Sequence, residues 1–257
     1  MILLLGGTSD TLPIAARLAA GGHRVLVSRA TETPLAVGSH GAIESRCGPL
    51  DDEGLERLIR ARGVRAIVDA THPYAAEIRA RAARVAAATG TPYFSFVRPS
   101  AIPPDAADVQ RAADHEAAAV LAFAHGRPVL LTTGSNHLAP YTDESRRTGV
   151  RLVVRVLDHP RSLAACRAVG LAEDCILAGR GPFTVEENRR QIRGHGIGVL
   201  MTKDSGEAGG TLEKLDAARC EACRVVVVGR PADVEVGALA DVEALLRAVG
   251  PPLAASQ

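Results

Sequence analysis

Ala66-Ile-Val-Asp-Ala-Thr-His-Pro-Tyr-Ala75 is the stretch from which the fold is read. Residues 64–68 have the make-up of a buried strand, and the apolar run stops abruptly at a cluster of polar side chains. Pro73 disfavours helical angles at His72, so the chain turns there and a helix is predicted to begin near Tyr74. Asp69, Thr71, His72 and Tyr74 therefore stand just past the carboxyl end of a strand. Open α/β sheets bind their ligands at that edge, and the stretch is read as the floor of an active site.

The same pattern recurs on both sides. Residues 2–5 form a short apolar strand followed at once by Gly6-Gly7-Thr8-Ser9-Asp10, before the helical spacing of Leu12, Ile14, Ala15, Leu18 and Ala19. Glycines let a backbone approach a phosphate, and the amides and dipole of the following helix favour its charge. The spacing is not G-x-G-x-x-G, and a tight strand-to-helix turn capped by Ser9 or Asp10 would use the same residues. A second strand, 24–27, stops at Ser28-Arg29-Ala30-Thr31. An NAD-binding fold places an acid there for the ribose; a hydroxyl and a guanidinium suit a 2′-phosphate instead, the alternative being a solvated arginine. Strands at 42–46 and 92–97, a helix over 51–62 capped by Asp51 and a helix over 74–88 complete the alternation. Residues 1–99 read as one compact parallel-sheet domain, with Arg98-Pro99 at its last strand end.

Residues 100–108, with Pro103 and Pro104, read as a linker. Beyond it come a helix at 116–124, a strand at 129–132 ending in Thr133-Gly134-Ser135-Asn136, and strands at 152–156 and 176–178. The last of these runs into Gly179-Arg180-Gly181-Pro182-Phe183 and a helix over 185–193. A strand at 199–202 opens Lys203-Asp-Ser-Gly-Glu-Ala-Gly-Gly210, where an ammonium, a hydroxyl and exposed amides can surround an anion. A flexible connection with a solvated lysine is the plainer reading of that loop. A helix at 212–220, a strand at 224–228 and a helix at 241–249 follow. The expected fold class is α/β, with two domains of mainly parallel sheet, 1–99 and 100–257, and an active-site cleft between them.

Composition narrows the functional classes. The 257 residues are 47% hydrophobic and 23% charged, enough for two cores of ordinary size. Thirty basic residues against 29 acidic ones give a net charge of +1, without a basic stripe, so nucleic acid is not an expected partner. No apolar run approaches the roughly 20 residues of a membrane helix, and residues 1–5 lack the basic start and length of a signal peptide. A cytoplasmic protein is expected. Five cysteines at irregular spacings imply reduced thiols; Cys220-Glu-Ala-Cys223 closes a helix rather than opening one, which argues against a redox pair. The histidines show no ligand spacing, so no metal is expected.

Leu5-Gly-Gly-Thr-Ser, Asp69-Ala-Thr-His-Pro-Tyr-Ala, Arg98-Pro99, Thr133-Gly-Ser, Gly181-Pro-Phe and Thr202-Lys-Asp-Ser-Gly with Gly209-Gly210 together resemble the precorrin-6A reductase family of cobalamin biosynthesis. The resemblance spans nearly the whole chain; it departs at Asp10, where a glutamate is associated with the family. It implies transfer of hydride from NADPH to one double bond of the precorrin-6A macrocycle, giving precorrin-6B. On that reading Gly6, Gly7, Thr8 and Ser9 approach the pyrophosphate, Ser28 and Arg29 the 2′-phosphate, and Thr71, His72, Pro73 and Tyr74 the nicotinamide end. Lys203, Ser205 and Gly206 would complete the cofactor site, while Arg98, Ser135, Arg180 and Lys203 would meet substrate carboxylates. His72 or Tyr74 is the candidate proton donor; alternatively His72 orients the loop, Tyr74 packs on the cofactor, and water or the substrate supplies the proton. The resemblance also implies that both domains are Rossmann-like and that they exchange a strand, for which 108–111 is a candidate, and neighbouring pathway enzymes are candidate partners besides the tetrapyrrole. The competing readings are a dihydrodipicolinate-type NAD(P)H reductase and a non-enzymatic NADPH sensor.

Overall fold

The computed structural model describes residues 1–30, 41–103, 105–206, 209–230 and 237–252. Two compact units emerge, Met1–Pro99 with Pro231–Gln257, and Ser100–Arg230.

In the first unit β1 (Ile2–Leu5), β2 (Val25–Arg29), β3 (Ile43–Cys47), β4 (Ala66–Asp69) and β5 (Tyr93–Ser95) form an all-parallel sheet in the order β3-β2-β1-β4-β5. Parallel strands covered by helices on both faces are apolar throughout, and β1 illustrates it. Ile2 and Leu4 pack with Ile14 and Leu18 of α1 (Thr11–Ala20), while Leu3 and Leu5 point the other way, onto Leu55 and Ile59 of α2 (Asp52–Arg62) and Ala82 and Val85 of α3 (Ala76–Thr89). The Asp51 side chain caps α2 by accepting from Gly54 N at 2.7 Å. Helix α3 begins two residues later than the sequence predicts. Tyr74 N donates to His72 Nδ1 at 3.4 Å and Ala75 N to the His72 carbonyl at 2.8 Å, which closes a turn before the helix can start.

The second unit holds β6 (Val109–Ala112), β7 (Val129–Leu131), β8 (Leu152–Val156), β9 (Ile176–Ala178), β10 (Val199–Lys203) and β11 (Arg224–Val228), again all parallel, in the order β6-β11-β10-β7-β8-β9. The chain moves from β6 to β9 in one direction and back through β10 to β11. Right-handed crossovers then put α4 (His115–Phe123), α5 (Ala139–Thr148) and α6 (Pro160–Ala168) on one face, and α7 (Val185–Gly194) and α8 (Thr211–Cys220) on the other. Helices α5 and α6 are absent from the sequence reading. Both are polar with a proline in the first turn, and only Tyr141, Thr142 and Cys166 among their residues are buried, too little for an apolar stripe.

The C-terminal segment belongs to the first unit, not to a second domain running from 100 to 257. Leu239 N donates to the Ser95 carbonyl at 2.8 Å, Val97 N donates to the Leu239 carbonyl at 2.9 Å, and Leu239 bridges Phe96 in parallel. Helix α9 (Val242–Val249) then buries Leu245 against the β1 core. The segment that returns to the first sheet is therefore the one around Leu239; residues 108–111, the candidate for exchange, lie at the β6 edge and pair with β11 of their own unit. A contact this short leaves no alternating pattern for a sequence reading to detect.

Candidate active site

In the first sheet the strand order reverses between β1 and β4, the topological switch point where open α/β sheets hold ligands. Register aligns Arg46, Ser28, Leu5, Asp69 and Ser95 in one row along the carboxyl edge. The Gly6–Ser9 loop rises from the middle of that row. Gly7 has φ +131°, and a Cβ on Gly6 would lie 2.3 Å from Thr11 Cγ2, so the loop can close only on glycine at position 6. Thr11, fully buried at the start of α1, accepts from Gly7 N at 3.0 Å and Thr8 N at 3.2 Å. Two of the amides assigned to a pyrophosphate thus brace the loop, and Ser9 N is left without an intramolecular acceptor among the described residues. Thr8 Oγ1 donates to the Ala70 carbonyl at 3.2 Å, tying this loop to the one after β4. Arg98 pairs with the Asp10 carboxylate and reaches Ser9 Oγ at 3.2 Å, so it supports the loop from beneath.

Ser28 and Arg29 end β2. Ser28 Oγ accepts from Arg46 Nη1 at 2.7 Å, and Arg46 also holds the Gly48 carbonyl at 3.0 Å. Arg46 is absent from the sequence reading, and only the β2–β3 register, which sets it opposite Ser28, reveals it. Thr31, quoted with that strand end, lies outside the described residues.

After β4 the fully buried Asp69 organises the next loop. It accepts from Thr71 N at 2.9 Å, Thr71 Oγ1 at 2.6 Å and the Tyr93 hydroxyl at 2.6 Å. Burial, then the Asp69 charge, pushes the Tyr93 phenol up, so it remains a donor. Thr71 and Pro73 are buried, while His72 and Tyr74 are half-buried with ring centroids 5.5 Å apart. The two predicted proton donors are neighbours on one turn whose base is the Asp69 carboxylate.

The second sheet has its own switch point, between β7 and β10. Thr133 Oγ1, just past β7, is buried without a hydrogen-bond partner among the described residues, beside half-buried Ser135. Past β10, Asp204 accepts from Ser100 Oγ at 2.5 Å and Gly206 N at 3.1 Å, and Ser205 N donates to Thr211 Oγ1 at 3.2 Å. Thr211 opens α8 as Thr11 opens α1, so both glycine loops are braced by the first hydroxyl of the helix that follows. Burial lowers the Lys203 ammonium from its ordinary range. Arg180 is exposed, on a loop curled so tightly that a Cβ on Gly179 would come within 3.0 Å of the Phe183 ring.

Other groups in this unit escaped the sequence reading. His115 stacks on His137 with centroids 4.2 Å apart, and its Nδ1 is 2.8 Å from the Tyr141 hydroxyl. Burial, followed by the charges of His137 and Lys203, lowers His115 to about 4. On the opposite face Arg155 and Lys214 are 5% and 8% exposed, and burial brings them down to about 10 and about 8. Among the described residues no group of three metal-ligating side chains converges.

A family model described as "Precorrin-6x reductase CbiJ/CobK" matches residues 1–250. The chain belongs to the precorrin-6A reductase family. It is 34% identical to a cobalt-precorrin-6A reductase of Priestia megaterium over 90% of this chain and 91% of that one. A precorrin-6A reductase of Rhodococcus erythropolis is 35% identical, over 90% and 89%. A solved structure, "CobK precorrin-6A reductase", superposes with a TM-score of 0.79 at 28% identity, covering 97% of each chain. The reductase is therefore an oxidoreductase of corrin biosynthesis with two Rossmann-like sheets, as the motifs implied. A reductase of this kind uses a nicotinamide cofactor, and the first unit fits one: a glycine loop at the switch point, an open Ser9 amide before α1, and a guanidinium–hydroxyl pair at the β2 edge. No helix among the described residues is long and apolar enough to cross a membrane.

Proposed function

We propose that the protein reduces one double bond of a precorrin-6A-type macrocycle with NADPH, in the cytoplasm, giving the corresponding 6B product. The observation that carries the choice of NADPH over NADH is Arg46 held on Ser28 at 2.7 Å at the end of β2, where an NAD-specific fold would present an acid. Arg46, Ser28 and Arg29 take the 2′-phosphate, since guanidinium forks match phosphate oxygens. The Ser9 amide, with Gly6 and Gly7 keeping the backbone clear of side chains, faces the pyrophosphate.

The cofactor supplies the hydride; the protein aligns the reactants and excludes water. Thr71, His72, Pro73 and Tyr74, on the Asp69-anchored turn, support the nicotinamide end, and His72 or Tyr74 provides the proton to the neighbouring carbon. Lys203, Ser205 and Gly206 complete the cofactor contacts, and Ser135, Arg180 and Lys203 meet the macrocycle. Arg98 acts chiefly through the Asp10–Ser9 loop it holds.

The test is NADPH oxidation by the purified protein with enzymatically prepared precorrin-6A, beside NADH and a no-substrate control. Substrate-dependent oxidation with a product heavier by two hydrogens is expected. Tight NADPH binding without oxidation would refute the reductase reading.

A further inference from the structure

Only two of the 30 basic residues are lysines, Lys203 and Lys214, and both lie in the second unit. Lys214 is buried in the first turns of α8, where its ammonium has one hydrogen bond, to the Gly209 carbonyl at 3.3 Å. Arg155, next to last in β8, faces the same side of the sheet. Its guanidinium lies 4.2 Å from the Phe183 ring centroid, and Nη1 donates to Asn188 Oδ1 at 2.7 Å and Gln191 Oε1 at 2.8 Å. All these acceptors are neutral. Among the described residues no carboxylate lies within ion-pair distance of either cation.

Buried charges are ordinarily paired, because an isolated one loses hydration without recompense. Here two cations are close enough to repel each other: Lys214 is lowered by burial, then by the charges of Arg155 and Lys203. The acid on the same helix, Glu213, opposes this less than either basic neighbour promotes it, and its Oε2 is itself buried without a partner. Two loops meet over the pair. A Cβ on Gly210 (φ +69°) would lie 3.4 Å from Pro182 Cβ, and the Gly179–Gly181 turn wraps Phe183, fixing the ring on which Arg155 rests. Two loops rich in glycine, at the carboxyl edge of a parallel sheet, hold the pair through Phe183 and the Gly209 carbonyl, and the carboxylates that oppose its charge, Glu187 toward Arg155 and Glu213 toward Lys214, stand beyond ion-pair distance.

We propose that Arg155 and Lys214 form a buried oxyanion-binding site of the second unit, and that its occupant is a peripheral carboxylate of the substrate. The site itself stands on the charges above; the identity of the carboxylate rests on the reductase reading. Asn188, Gln191 and Phe183 hold the guanidinium so that its remaining donors are aimed, and Lys214 supplies a point charge. A phosphate offers the same anionic oxygens, so the test separates the two.

Because the chain has two lysines, the full-length protein labelled with [13Cε]lysine gives two side-chain NMR signals, and the one lost in Lys214→Arg is Lys214. Its titration is followed with no added anion, with citrate and with inorganic phosphate at constant ionic strength. Citrate is expected to raise the Lys214 midpoint by about 1 unit, since an anion favours the charged form against Arg155 and Lys203, with phosphate doing less. The rise should vanish in Arg155→Met and persist in Arg155→Lys, which folds with the charge in place. In turnover, Lys214→Met should raise the KM for the tetrapyrrole roughly 10-fold, leaving the KM for NADPH unchanged. A Lys214 midpoint indifferent to citrate, or a rise that survives in Arg155→Met, overturns the site. A larger response to phosphate with a raised KM for NADPH overturns the carboxylate assignment. A citrate response in a wild-type protein that turns over no tetrapyrrole leaves the site standing and refutes the reductase reading alone.

Discussion

His115 makes the second unit acid-sensitive in a way that can be worked out from its surroundings. Its imidazole is held near 4 against an ordinary 6.5, first by burial, then by His137 and Lys203, with Glu116 and Asp114 opposing. The Tyr141 hydroxyl lies 2.8 Å from Nδ1. The folded state therefore keeps His115 neutral where the unfolded chain would protonate it. Stability from this group is complete above the unfolded value and is lost as pH falls from about 6.5 towards 4. At 1.36 kcal/mol per unit, the shift amounts to about 3 kcal/mol between neutral pH and pH 4. Exposed carboxylates paired with arginines also weaken in acid, so the comparison must be with a variant. His115→Gln keeps an amide for Tyr141 and cannot titrate. Urea unfolding at about pH 7 and pH 4 should show the wild type losing about 3 kcal/mol more than the variant, and the His115 ring signal should titrate near pH 4. Equal losses in the two proteins, or a His115 midpoint near 6.5, would refute the reasoning.

Two further outcomes test the first unit. Removing the guanidinium in Arg46→Ala should cost about 2 kcal/mol of NADPH binding, roughly 30-fold, and leave NADH binding unaffected; equal losses for both cofactors would remove Arg46 from the 2′-phosphate site. Gly6→Ala forces a methyl against Thr11 and should destabilise the fold by about 1–3 kcal/mol in urea. An unchanged midpoint would show that Thr11 can move aside without loss of its two amide bonds.

Most strands were legible because parallel strands covered on both faces are written as continuous apolar runs, as in Ile2–Leu5 and Arg224–Val228. What stayed hidden depends on pairs far apart in sequence. Tyr93 reaches Asp69 from 24 residues away. Arg46 meets Ser28 only through register, and Leu239 reaches Phe96 across the whole second unit. The loops after β1 and β10 were recognised from their glycines, but the hydroxyls that brace them, Thr11 and Thr211, read as ordinary first residues of helices.

The sequence does carry one signal of such sites: a charge at a position that periodicity assigns to the core. Arg155 interrupts Leu-Val-Val-Arg-Val, a strand buried at every residue. Lys214 shares a helical stripe with Thr211, Leu215 and Ala218, and Arg79 one with Ala82 and Ala86. All three are buried, and burial alone does not say which are ligand-binding. Compensation narrows the choice. Arg79 donates to Ser95 Oγ at 3.0 Å, and its Nε and Nη2 are buried without a hydrogen-bond partner among the described residues. Arg155 and Lys214 are met only by amide and carbonyl oxygens. A core-position cation with no carboxylate at ion-pair distance is one that a ligand can complete, and in this chain that criterion marks Arg155 and Lys214 in the second unit alongside Arg79 in the first.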